Sequence, residues 1–321
     1  MRHGNATLLS LAPVTMTFLA VNVLLHFVTT ARLEETGTWQ SLPMLHRELI
    51  WEGEWARLIV PVFLHGGVMH LLMNSIALYQ QGSAAEVHFG SSNYGTLYLL
   101  SGIVGCCFSS MFGAGRAVGA SGALFGVMAA EVAVEVFKAP VLRNAWKRSE
   151  VRTSMAWLML FFLMGVSGLM GSRIDNWGHF GGMVAGGLLG AFFELWRTRK
   201  RVGFPLFAAT LLSIAALICV TRWSFFSPAY HIHQAWLAEE AGRTDEMDQE
   251  LTHALRWARI WNKERTVATI IQYHNLGSWK LDTVRLAPRG YRDLERWADG
   301  AAATMDRLLR GENIEPVTEE P

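Results

Sequence analysis

The stretch Val118-Gly119-Ala120-Ser121-Gly122-Ala123-Leu124-Phe125-Gly126 sets one hydroxyl among glycines and alanines at the mouth of an apolar segment. Its small neighbours give Ser121 little steric cover, so a second segment can approach it closely. Gly119, Gly122 and Gly126 also suit plain small-residue packing between membrane helices. A second stretch, Asn176-Trp177-Gly178-His179-Phe180-Gly181-Gly182, opens another apolar segment, and Gly186 and Gly190 extend a four-residue repeat into a smooth ridge down one helix face. Such a ridge lets His179 come within hydrogen-bonding reach of Ser121, the geometry that a serine nucleophile requires of its base. A third stretch, His70-Leu71-Leu72-Met73-Asn74, places an imidazole and a carboxamide on the same helix face through i, i+4 spacing.

Composition sets the class. Of 321 residues, 51% are hydrophobic and 17% charged, against roughly 25% charged in an average soluble domain. No charged residue lies between Arg57 and Glu86, Glu86 and Arg116, Arg152 and Arg173, Asp175 and Glu194, or Arg201 and Arg222. Each gap is long enough to cross a hydrocarbon core, which takes ~20 residues of helix. A net charge of +1 gives no reason to expect nucleic acid. Cys106, Cys107 and Cys219 all lie in apolar runs and read as buried small hydrophobes, not as a disulfide framework.

Along the chain, residues 7–28 read as a retained first span, since their apolar run exceeds a signal-peptide core of about 7–15 residues. Residues 29–57 mix charges with Trp39, Trp51 and Trp55 and read as an interfacial loop with aromatic anchors. The Gly66-Gly67 pair starts the second span near residue 67, and Gln80–Asn93 is expected to be a polar turn. Further spans are expected over 94–113, 118–137, 154–171, 177–196 and 204–221, with Ser121 about 4 residues into the fourth. The 138–152 loop carries five basic residues and the 197–201 loop four, whereas those at 114–117 and 172–176 carry one each. Basic loops stay cytoplasmic, so the N terminus is cytoplasmic and the tail after seven spans is outside. His70, Ser121 and His179 then share one depth near the outer face.

Residues 224–321 are charged, with apolar positions at helical spacing, and read as a small helical extramembrane domain whose last ten residues are disordered. Ala235 to Leu255 weakly resembles one tetratricopeptide unit. His231 and His233 read as loop residues, not metal ligands. His65 lies about 140° around a helix from His70, so the two form no same-face pair. Glu86 reads as a loop brace, Glu131 and Glu135 reach toward the cytoplasmic interface, and Asp175 and Asn176 serve as loop and helix-cap residues.

In combination, these motifs resemble the rhomboid intramembrane serine proteases over residues 7–196. Gly119-Ala120-Ser121-Gly122 is similar to the family's serine motif, which implies Ser121 as nucleophile. Gly178-His179-Phe180-Gly181-Gly182 is similar to its sixth-span motif, which implies His179 as general base of a dyad without an essential acidic member. His70 and Asn74 resemble the second-span residues that form the oxyanion hole, a task they share with the backbone N–H of Ser121. Trp55-Ala56-Arg57 resembles the first-loop tryptophan-arginine motif, departing from it at the interposed Ala56, and Gly82 and Glu86 resemble a structural glycine and glutamate.

The resemblance implies an all-α polytopic membrane protein with a six-helix core, made of a first span (1–28), the interfacial loop (29–57) and a catalytic core (58–196); beyond that core, charge and hydropathy add a basic loop and seventh span (197–223) and a helical extramembrane domain (224–321). It implies hydrolysis of peptide bonds in or near transmembrane segments of membrane proteins within the lipid bilayer, without cofactor or metal. A bacterial inner membrane is the expected location, with residues 224–321 docking a substrate or partner outside the cytoplasm. Protonation of His179, near pH ~6.5 if unperturbed, is expected to suppress activity. An inactive rhomboid-like binder of transmembrane segments, and a transporter or scaffold whose glycines only pack helices, stay open as alternatives. A soluble-type α/β-hydrolase does not fit, because Gly119-Ala120-Ser121-Gly122-Ala123 lacks the second glycine of G-x-S-x-G and no strand is expected before it.

Overall fold

The computed structural model describes residues 12–36, 42–113, 115–138, 142–167, 175–198, 200–222 and 224–258. The chain divides into two units, Met1–Arg222 and Trp223–Pro321. Among its described residues, the regular structure of the first is helical apart from one short strand pair.

Helix α1, Pro13–Thr36, opens on a proline whose fixed φ suits a first helical position. It runs to Thr36 and not Val28, so residues 29–36 belong to the helix and not to the interfacial loop. Residues 7–11 of the expected span lie outside the described residues. The remaining loop is itself folded into β1 (Leu45–His46), α2 (Arg47–Trp51) and two 3₁₀ turns, Trp55–Leu58 and Val60–Phe63. Strand β1 pairs antiparallel with β2, Arg116–Ala117, so a strand does precede the serine motif, though it belongs to a two-stranded pair and not to an α/β sheet. Buried Arg57 donates from Nη1 to the carbonyls of Leu42 and Met44, each at 2.9 Å, and from Nε to Glu54 at 2.7 Å. The departure at Ala56 thus leaves the arginine anchor in place.

Helix α3, Val68–Ala77, continues without a break through a π segment, Leu78–Gly82, into α4, Ser83–Phe89. The polar turn expected over Gln80–Asn93 is therefore helical up to Phe89, and only Gly90, at φ +80°, separates it from α5, Ser91–Phe112. The polar side chains of this stretch are spent between helices. Gln81 donates to Ser154 at 2.9 Å and to Glu131 at 3.2 Å, and Ser154 donates to Glu131 at 2.7 Å. Glu131 is thus an interhelical acceptor, while Glu135 pairs with Lys138 at 3.1 Å and Arg148 at 3.6 Å. Glu86 accepts from the N–H groups of Val14 and Thr15 and the hydroxyls of Thr15 and Ser91, at 2.6–2.9 Å. A carboxylate there satisfies the unpaired donors at the positive end of α1.

Helices α6 (Ser121–Lys138), α7 (Leu142–Ala145), α8 (Ser149–Ser167), α9 (Asn176–Thr198) and α10 (Lys200–Arg222) complete the unit. Helix α9 packs against α6, α5 and α10. Its glycine ridge meets α6 so closely that a Cβ on Gly182 would lie 2.7 Å from the carbonyl carbon of Gly122, and one on Gly190 would lie 2.6 Å from Cα of Ala130. Among the described residues, Pro13–Glu35 and Ser91–Phe112 are long and apolar enough to cross a membrane unaided, and Val151–Phe161 and Thr210–Arg222 are shorter apolar helices.

In the second unit, α11 (Pro228–Glu240) packs on α12 (Thr244–Ala258) across a turn at Gly242, φ +70°. His231 and His233 lie in α11, not in a loop. The His231 ring sits 2.6 Å from Glu250 through Nδ1 and 2.6 Å from the Phe225 carbonyl through Nε2. Residues 259–321 lie outside the described residues.

Candidate active site

Strand β2 and the turn at Gly119 deliver Ser121 to the first position of α6, not to a point one turn inside it. Gly119 adopts φ +133°, a conformation that disfavours any side chain, and a Cβ there would lie 2.7 Å from both Cε1 and Nε2 of His70. Its N–H donates to the Pro61 carbonyl at 2.9 Å. The first bond of the α6 ladder runs from Leu124 N–H to Ala120, so the N–H groups of Ser121, Gly122 and Ala123 precede the ladder.

His179 occupies the first turn of α9. Asp175 caps that helix, its carboxylate accepting from Gly178 N–H at 3.1 Å and its carbonyl from His179 N–H at 3.1 Å. The close ridge contact brings Nε2 of His179 to 2.7 Å from Oγ of Ser121, across 58 positions of sequence. Phe125, one turn beyond Ser121 on α6, stacks on the His179 ring at 4.1 Å and 9°. That residue was not legible as part of a site: its only signal is the i, i+4 spacing from Ser121 inside an apolar run.

Nδ1 of His70 accepts from Gly66 N–H at 3.4 Å. A neutral imidazole accepting through Nδ1 carries its proton on Nε2, and the hydrogen-bond network assigns that tautomer here. Nε2 is the atom facing Gly119. Nδ2 of Asn74 lies 3.8 Å from the same Cβ position, and the Asn74 amide is fully buried with neither polar atom hydrogen-bonded. His65 sits in the extended chain before α3, so helical spacing does not govern it, and its ring meets that of His70 edge-on at 5.2 Å. Among the described residues no cluster of three or more histidine, cysteine or acidic side chains could hold a metal.

A cavity of about 40 Å³ is lined by Ser121, His179, Gly119, Cys106 and Ser109, among others. At roughly 10–15 Å³ per water, it has room for about three. The Ser109 hydroxyl is buried and unpaired. All three cysteines are free, and Cys219 is exposed, not buried.

Fold and site together define a helical membrane protein that holds a serine and a histidine in contact at the N-terminal ends of two closely packed helices. Residues 52–196 match the family profile described as the Rhomboid domain. The chain is 31% identical over 244 residues to the rhomboid protease GluP of Bacillus subtilis (strain 168), covering 74% of this chain and 46% of that protein. It is 37% identical over 156 residues to RHOMBOID-like protein 5 of Arabidopsis thaliana, 48% of each chain. It is also 29% identical over 168 residues to Rhomboid-like protease 1 of Toxoplasma gondii, 52% of this chain and 56% of that one. The chain belongs to the rhomboid family and is an integral membrane protein. It spans about half the length of the curated relatives it matches.

Proposed function

We propose that this chain is an intramembrane serine endopeptidase that hydrolyses peptide bonds in or near transmembrane segments, with Ser121 as nucleophile and His179 as general base. The observation that carries the reading is the 2.7 Å contact between Ser121 Oγ and His179 Nε2. On this reading, neutral His179 takes the Ser121 proton as Oγ attacks the scissile carbonyl, a transfer worth roughly 10²–10⁴ in rate. His179 then returns the proton to the leaving amine, and a water attacks the acyl-enzyme by the same route. Phe125 holds the imidazole from one face while α9 holds its backbone, so the ring needs no carboxylate to orient it.

Negative charge built on the substrate oxygen requires donors. His70 Nε2–H, the Asn74 amide and the Ser121 backbone N–H supply them, each such donor being worth about 2.7–4 kcal/mol in measured enzymes. The unpaired amide of Asn74 supports this assignment, because a buried donor without a partner costs about 1–3 kcal/mol. A scissile bond must leave its helix first, since helical carbonyls are occupied by the ladder. The same reading assigns seven spans, a bacterial inner membrane, a cytoplasmic N terminus and a second unit outside that docks substrate or partner.

The test is cleavage of a transmembrane reporter substrate by the purified full chain in detergent. Wild-type protein is expected to cut it, and folded Ser121→Ala and His179→Ala proteins are expected not to. Unchanged cleavage by Ser121→Ala protein defeats the reading.

A further inference from the structure

Helix α10 follows the rhomboid domain, yet it packs against the outer loop that precedes that domain's second span. Leu217 and Ile218 pack on a cluster of Leu45, Ile50, Leu58 and Cys107. One turn earlier, Ile214 packs with Val104 of α5 and Ala185 of α9. Thr221, fully buried, lies 3.4 Å from the Met111 sulfur, and a Cβ on Gly53 would lie 4.0 Å from the Arg222 guanidinium. The last two turns of α10 therefore rest on residues 45–58 and on the end of α5.

The loop so supported holds the segment that delivers the nucleophile. Leu45 pairs with Ala117 and His46 with Arg116 in the β1–β2 ladder. Arg47 N–H donates to the Gly115 carbonyl at 2.9 Å, and its side chain covers Gly115, where a Cβ would lie 2.9 Å from Nε and φ is +72°. Pro61 accepts from Gly119 N–H at 2.9 Å, two residues before Ser121. A continuous set of contacts thus runs from α10 through residues 45–61 to residues 115–119.

We propose that α10 is a positioning element of the site: Leu217 and Ile218 press the 45–58 loop onto residues 115–119 and so fix Gly119 and the Ser121 N–H against His70 and His179. The proposal rests on the protease reading for its kinetic consequence, but not for its structural one. Residues 115–119 comprise two glycines in left-handed backbone and a two-residue strand, and their backbone is held through Leu45, His46, Arg47 and Pro61, so their position depends on where residues 45–61 sit. A displacement of about 1 Å at a reacting group can cost 10²-fold in rate.

The experiment compares four full-length proteins in proteoliposomes: wild type, Leu217→Ala/Ile218→Ala, the volume-conserving Leu217→Met/Ile218→Leu, and Leu212→Ala, whose side chain is 71% exposed on another face of α10. The double alanine protein is expected to lose tenfold or more in kcat with KM within about twofold, and to show faster amide exchange across residues 115–119. The conservative pair restores both, and Leu212→Ala changes neither. If the double alanine protein does not fold, Leu217→Ala alone carries the same expectation at smaller amplitude. Wild-type kcat and wild-type protection at 115–119 in the alanine protein, or equal losses from Leu212→Ala, overturn the proposal. Absence of Ser121-dependent cleavage in the wild type defeats the protease reading instead, and the exchange comparison then decides the role of α10 by itself.

Discussion

Replacing Gly182 by alanine isolates the contribution of helix approach to catalysis. The added Cβ would collide with the carbonyl oxygen of Gly122 and sit 2.7 Å from its carbonyl carbon and 3.2 Å from its Cα, where ordinary contacts begin at 3.4 Å. Backbone on both sides leaves no flexible side chain to yield, so α9 must retreat from α6 by about 1 Å or more at that point. Gly122 adjoins Ser121, and Gly182 lies on the turn after His179. The same retreat therefore stretches the 2.7 Å Ser121–His179 contact to about 3.7 Å or more, beyond hydrogen-bonding range. A shift of that size is expected to lower kcat by about 10²-fold, or about 2.7 kcal/mol of barrier. Gly187→Ala is the control, because its Cβ would meet Ala129 at an ordinary 3.9 Å. The assay is initial-rate cleavage in proteoliposomes, with thermal unfolding measured on the same preparations to separate lost activity from lost fold. A folded Gly182→Ala protein that cleaves at the wild-type rate refutes the argument that this crossing sets the Ser121–His179 distance.

Removing the ring stacked on His179 with Phe125→Ala forfeits a pair worth about 0.5–1.5 kcal/mol, so kcat falls by up to about tenfold while Phe125→Tyr keeps most of it; equal rates in both would remove the ring from the mechanism. Glu86→Ala strands the Val14 and Thr15 N–H groups at the start of α1 and is expected to cost about 2 kcal/mol or more, lowering Tm by roughly 5 °C, with kcat per folded molecule unchanged; a Tm within a degree of wild type would contradict the capping role. In the loop after α1, burial raises the Glu48 carboxyl, but the His46 imidazole 3.1 Å away and the charge of Arg47 outweigh it and hold the group at about 2, against 4.5 ordinarily. A depressed carboxyl contributes stability that is full above the unfolded value and fades as pH falls through the folded one. Wild type should therefore exceed Glu48→Gln in stability at pH 6 and lose that advantage between pH 4.5 and 2; an advantage that does not vary with pH would show that the charge is not the cause.

The residues brought together at the site were legible because their chemistry and their packing share one code. Small residues at four-residue spacing announce close helix approach, and the serine and the histidine each open such a stretch. Polar residues inside helices were harder to place. Gln80, Gln81 and Glu86 look like a turn in isolation, and it is the partners Trp157 for Gln80, Ser154 and Glu131 for Gln81, and Val14 and Thr15 for Glu86, all distant in sequence, that stabilise a helical path through them. The start of α6 at Ser121 is not legible in the sequence because the φ of Gly119, which separates turn from helix, leaves no trace in hydropathy. Strands β1 and β2, at two residues each, are too short to show any alternation. Phe125 stayed hidden because a ring that stacks on a catalytic imidazole and a ring that fills a core look identical in an apolar run.

On the proposed mechanism, His179 activates Ser121. Labelling with a fluorophosphonate, followed by peptide mapping, reads that activation directly in membranes, without a chosen substrate. A single adduct on Ser121 is expected in the wild type, absent from folded His179→Ala protein. An adduct that forms equally fast without His179, or none on Ser121 at all, contradicts the account.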